Sequence, residues 1–168
     1  ITMFFKREDT VSIHTLSEAA AQVLYDIGSG FCVESLLRDS DIIREDRKKE
    51  WLYYVFKSRN FFKHADRDKE TQHEFKTEFN HFSLLDALNM YNTIKKQWVP
   101  ETLVFLSWFA AKYPELTKEE SDLSRLINKL QRNGTMPSPN DKYHLLEFIS
   151  LMRSGNVVIE NITLKYGL

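Results

Sequence analysis

The stretch from Arg59 to Asp68 concentrates residue types that do chemistry. It sets Arg59, Asn60, Lys63, His64, Asp66, Arg67 and Asp68 around Phe61 and Phe62. His64, Asp66 and Asp68, joined by His14 or His73, could converge on a metal if the chain were extended, because residues two apart then share a side. A catalytic metal needs about three such ligands on one ion. On a helix the same alternation scatters them, so no metal and no cofactor are expected. Between Arg44 and Arg67 eight Lys and Arg face four Asp and Glu, a local excess that could form a phosphate-binding face. Lys48 and Lys49 beside Asp46 and Glu50 also fit an ordinary solvated helix. The favoured role for the segment is structural. Asn60, Lys63 and His64 close a helix end, His64 suits the negative end of the helix dipole, and the group ties the polar stretch 67–80 to the helix beginning near His14. His14, Lys63, Asp66 and Asp68 are the candidate binding residues.

Other chemistries lack their motifs. There is no nucleophile elbow, no phosphate-binding glycine loop and no paired dinucleotide glycines. A single cysteine, Cys32, leaves no partner for an intramolecular disulfide. Flanked by Phe31 and Val33, it is expected to be buried and inert. The net charge of −1 provides no global field toward nucleic acid or an anionic membrane. No signal segment is read at the start, and the apolar run Leu103 to Ala111 is too short to span a bilayer. The expected address is the cytoplasm.

The elements that must position these residues read as helices. Asp9-Thr10 caps a helix over Val11 to Ile27, whose Ile13, Leu16, Ala20, Val23, Leu24 and Ile27 fall in one stripe. Gly28 and Gly30 end it. Glu34 to Leu37 is a candidate short helix. Ser40 or Asp41 opens the next, which runs to about His64 with a bend near Arg44 and Trp51, Leu52, Val55, Phe56 and Phe62 inside. Arg67 to Asn80 reads as loop, anchored by Phe75 and Phe79. Phe82 to Trp98 is amphipathic. Pro100 starts a helix over Glu101 to Tyr113 that is apolar nearly all round, as a central helix would be. A capping box at Thr117 and Glu120 predicts another helix. A last one follows Ser138-Pro139, with Leu145, Phe148, Ile149 and Met152 buried and Gly155 at its end. The fold class is all-α, an irregular bundle of six or seven helices. One domain spans 1–168, with 155–168 as a C-terminal arm or short strand.

Four segments carry a resemblance: Ser12-Ile13-His14-Thr15-Leu16-Ser17-Glu18-Ala19-Ala20, Asn60-Phe61-Phe62-Lys63-His64-Ala65-Asp66-Arg67-Asp68, Leu84-Leu85-Asp86-Ala87 and Trp108-Phe109-Ala110-Ala111. Together they resemble an uncharacterised bacterial family of small helical proteins, found in genomes and in mobile gene cassettes. The resemblance implies a bacterial helical protein and brings no activity with it. Separately, Arg59-Asn60-x-x-x-His64 resembles the Arg/His motif of HEPN-type ribonucleases. That resemblance implies an all-helical, metal-independent, dimeric enzyme acting on RNA. Arg59 would steady the scissile phosphate. His64 would act as general acid or base toward the 2′-OH. Five residues apart on a helix, the two lie about 140° apart round its axis, so a dimer or local unwinding would have to join them.

Two main functions follow. The first is a non-enzymatic binding or adaptor domain whose protein partner is not named by the sequence. The second is the HEPN-like ribonuclease, of toxin or defence type, using Arg59, Asn60 and His64. An aromatic small-molecule pocket lined by Trp51, Trp98 and Trp108 is a third. The aromatic load, with 12 Phe, also leads us to expect a homodimer.

Overall fold

The computed structural model describes residues 1–64, 69–117 and 138–155, together with Arg125, Asn128 and Arg132. The fold is all-α, with seven α-helices and no strand among the described residues. Glu120, which completes the expected capping box with Thr117, and the arm beyond Gly155 lie outside them, as do Asp66 and Asp68. Two compact units result: Asp9–Lys95, and a second formed by Ile1–Glu8 with the chain from Lys96 onward.

In the first-named unit, α2 (Thr10–Gly28), α3 (Glu45–Val55), α4 (Lys57–Lys63) and α5 (Phe79–Lys95) follow one another. Asp9 caps α2 by accepting from the Ser12 N–H at 2.6 Å, which satisfies a donor the helix start leaves free. His14 meets Asn80, Glu18 meets Ser83, and Ala21 clusters with Ala87 and Met90. These pairs advance in the same sense along both helices, so α2 and α5 run parallel. Parallel packing demands a long return, and residues 29–78 supply it. The return is pinned where Asp86 of α5 accepts from Ser35 Oγ at 2.8 Å and from the Leu36 N–H at 2.6 Å. Gly28 is required at the close of α2, because a Cβ there would stand 2.6 Å from the Val33 Cβ.

Two expectations change here. The long helix from Ser40 to His64 starts only at Glu45 and breaks at Phe56 into α3 and α4. Glu34 to Leu37 is turn and loop, tied to α5 where Asp86 accepts from the Leu36 N–H.

The other unit includes α1 (Thr2–Phe5), α6 (Pro100–Lys112) and the helix Lys142–Arg153, which we number α7. Its centre is aromatic. Phe4, Phe5, Phe105, Trp108 and Phe109 are all buried, and Phe4 meets Trp108 edge-on with centroids 4.8 Å apart. The Trp108 ring N–H donates to the Pro139 carbonyl at 2.8 Å, so its polar edge is satisfied. Leu145, Ile149 and Met152 of α7 close the core. Pro100 stands at the start of α6, as its missing N–H favours.

Candidate functional site

The inward side of α2 is polar. His14, Ser17 and Glu18 are buried along with Ile13 and Ala21, while Leu16, Val23 and Ile27 are 58 %, 58 % and 55 % exposed. The stripe read from the sequence as core-facing therefore faces outward in large part. The reason lies on α5, whose packing face carries Asn80, Ser83 and Asp86 beside Leu84, Ala87 and Leu88. A polar face on one helix is satisfied by a polar face on the other.

His14 Nδ1 pairs with Asn80 Oδ1 at 3.2 Å, and the Asn80 amide donates to the Thr10 carbonyl at 2.9 Å. The His14 ring also lies against Phe62 and Phe75. Burial among these groups lowers its pKa to about 4, so it is neutral at pH 7. Four residues on, Glu18 is 3 % exposed. Its Oε1 accepts from Ser83 Oγ at 2.6 Å, and its Oε2 has no hydrogen-bond partner. Desolvation pushes its carboxyl upward, against the pull of Ser83, Arg59 and Arg38.

Two arginines converge beside this carboxyl. Gln22 Oε1 accepts from Arg38 at 2.8 Å and from Arg59 at 3.2 Å. Both guanidiniums rest on the Phe56 ring, at 5.0 and 4.6 Å from its centroid. The break between α3 and α4 places Phe56 there as the hinge residue. The Nε atoms of both arginines lack hydrogen-bond partners. A cavity of about 380 Å³ opens between α2 and α4, lined by Thr15, Glu18, Ala19, Gln22, Arg59, Phe62 and Lys63.

Of the residues singled out in the sequence, Arg59 and Lys63 share this cavity. His14 lies buried beside Phe62, on the inner side of α2. Asn60 is exposed, and His64 is the half-buried residue that ends α4. Contact between α4 and the loop after it runs through other groups: Ser58 Oγ lies 2.8 Å from His73 Nε2, and Phe61 stacks on the His73 ring at 4.8 Å. Those residues border a second cavity of about 560 Å³, together with Tyr53, Tyr54, Lys57 and Lys76. Cys32 is exposed, contrary to expectation, because it takes the left-handed position (φ 51°) that closes a short 3₁₀ turn after α2 and never reaches the core.

Sequence reasoning missed Glu18, Gln22 and Arg38. The available signal was the i, i+4 spacing of His14, Glu18 and Gln22, which puts three polar residues on one side of a helix. Among the described residues no group of three His, Cys, Asp or Glu could hold a metal, and no helix is long and apolar enough to cross a membrane. The fold and site define a helical unit built round a buried polar seam. Comparison with protein-family models, curated proteins and solved structures returns no match.

Proposed function

We propose that the Asp9–Lys95 unit is a non-enzymatic binding module that pairs with a second copy of itself through the outer face of α2. One observation carries the reading: Leu16, Val23 and Ile27 are each more than half exposed. With exposed Ala20 they fall within about 60° of one another round the helix axis. Soluble domains rarely leave so regular an apolar row in water without a use for it. The row carries no charge, and α2 contains no Lys or Arg. A two-fold pairing brings the same patch against itself, so an uncharged row meets no like charge.

Sedimentation at tens of micromolar tests this. The wild type should run as a dimer and the Leu16→Glu/Val23→Glu double variant as a monomer of unchanged helicity, since both sites are on the surface. A monomeric wild type, or a variant that still pairs, overturns the pairing. RNA cleavage that survives chelator and is lost in His64→Ala would overturn the non-enzymatic part and favour the ribonuclease alternative.

A further inference from the structure

We propose that the open cavity bordered by α3, α4 and the loop before α5 binds a nucleoside monophosphate. Its base would lie on Tyr53, its phosphate on Lys57 and Lys76, and its ribose hydroxyls on Glu74. None of the described residues lining this cavity belongs to α2, so the proposal stands apart from pairing through α2.

The charges come first. In the positive run from Arg44 to Arg67, Arg44, Arg47 and Lys48 are paired with Asp46, Glu50 and Glu45. Arg59 is turned to Gln22. Lys57 is exposed, lines the cavity, and has no hydrogen bond or ion pair among the described residues. Lys76, from the loop, has the same three properties. A phosphate monoester carries about two negative charges near pH 7, which two ammonium groups on one cavity can match.

The rings come next. Tyr54 is met edge-on by Phe79, and Phe61 is stacked on His73 with planes 30° apart. Tyr53 is 70 % exposed, lines the same cavity, and makes no ring contact among the described residues. A ring with an unstacked face suits a base, since every base has a π-face to lay on it. The third feature is Glu74, also exposed on the wall. It opposes a bare anion, but a carboxylate accepts well from ribose hydroxyls. A free phosphate leaves Tyr53 and Glu74 unused, and a nucleoside leaves both lysines unused. The monophosphate engages all of them. A longer polyanion is disfavoured, because residues 69–78 hold Glu70, Glu74 and Glu78 against Lys69 and Lys76.

The cavity is set before a ligand arrives. Ser58 of α4 and His73 of the loop lie 2.8 Å apart, and the Phe61 stack holds the same histidine. That arrangement lowers the ordering cost of binding. The volume, about 560 Å³, lies in the small-ligand range of roughly 300–1,000 Å³.

Calorimetric titration of the full chain at low salt tests the idea. The probes are AMP, GMP, 2′-deoxy-AMP, adenosine, inorganic phosphate and an oligoadenylate without terminal phosphates. AMP and GMP should bind, with adenosine and phosphate weaker by about tenfold or more and 2′-deoxy-AMP weaker by about threefold or more. The double variant Lys57→Ala/Lys76→Ala should weaken AMP by about tenfold and leave adenosine unchanged. Tyr53→Ala should weaken AMP and adenosine alike. Glu74→Gln should erase the preference for AMP over 2′-deoxy-AMP. All four positions are exposed, so helicity by circular dichroism should not change. The proposal is overturned if neither AMP nor GMP binds, or if adenosine or phosphate binds as tightly as AMP. AMP affinity unchanged in the double-lysine variant, or in Tyr53→Ala, also overturns it. Oligoadenylate binding more than about a hundredfold tighter than AMP would overturn it in favour of single-strand binding.

Discussion

The unit around α6 buries Phe4, Phe5, Phe105, Trp108, Leu145 and Met152, with Thr102 and Ser107 as its buried polar residues among those described. The unit around α2 buries His14, Glu18, Asn80, Ser83 and Asp86 beside a smaller apolar set. The first gains stability by removing apolar area from water, which is non-directional and nearly independent of pH. The second depends on hydrogen bonds whose partners must be placed individually, and on ionisable groups held away from their ordinary pKa values. Beside the aromatic centre of the first, burial lowers the pKa of Lys142 to about 8 over the Phe4 and Trp108 rings, so its protonation changes at higher pH than that of His14, lowered to about 4 in the second. The cavity and the unmet polar atoms belong to the second, where packing is decided by more than apolar fit.

The contrast can be broken at three points. The largest effect is expected at Trp108, 2 % exposed at the aromatic centre. Trp108→Ala should cost about 3–5 kcal/mol by chemical denaturation. Native-state hydrogen exchange should show the loss at Val104 and Phe105. A cost under about 1 kcal/mol would mean that the aromatic centre is not what holds that unit.

Next is acidification. His14 has its folded pKa lowered to about 4 from an ordinary 6.5, so the unfolded chain binds its proton first. His14 therefore contributes stability at pH 7 that is lost as pH falls from about 6.5 toward 4. By linkage the loss approaches roughly 3 kcal/mol. The groups acting on it are Asn80 of α5, Arg59 of α4 and His73 of the loop. Glu18 works in the opposite sense. Its raised pKa makes it a stability gain as pH falls through the folded value, because the unfavourable buried charge disappears. Exchange protection at Ala21 and Leu88 should fall between pH 6.5 and 4.5 while Val104 and Phe105 hold theirs. The fall should be steeper in Glu18→Gln, which lacks the offset. Equal loss in both units would erase the distinction between them.

The smallest of the three is Asp86→Asn. Burial pushes the Asp86 carboxyl upward, but both its oxygens are engaged by Ser35 and Leu36. An amide cannot accept at both positions, so the change should cost about 1–3 kcal/mol and loosen the return from α2. Thermal melting and exchange at the Ser35 and Leu36 amides would show it. An unchanged melting temperature would mean that the loop holds without Asp86.

Much of the helical layout was legible in one dimension. The Asp9 cap, the glycine close of α2, the proline start of α6 and the apolar positions of α7 each depend on neighbours within a few residues. Cys32 was misjudged because its flanking residues are apolar, whereas its backbone conformation turns it outward. The Arg59-to-Asp68 cluster yielded only part of its geometry. Arg59 and Lys63 share a cavity because α4 lies along α2, which their own sequence does not express.

What the chain determined alone is local: which segments wind into helices, where they stop, and that α6 must be enclosed. Those outcomes follow from backbone capping and 3.6-residue periodicity. Which face of α2 turns inward was settled only by the three-dimensional fold. An alternation of polar and apolar residues allows two faces, and the choice went to the one whose hydrogen-bonding groups find partners on α5, 66 residues further along at His14 and Asn80. A buried polar group is stable only beside a partner, and the partner's position is a property of the folded chain.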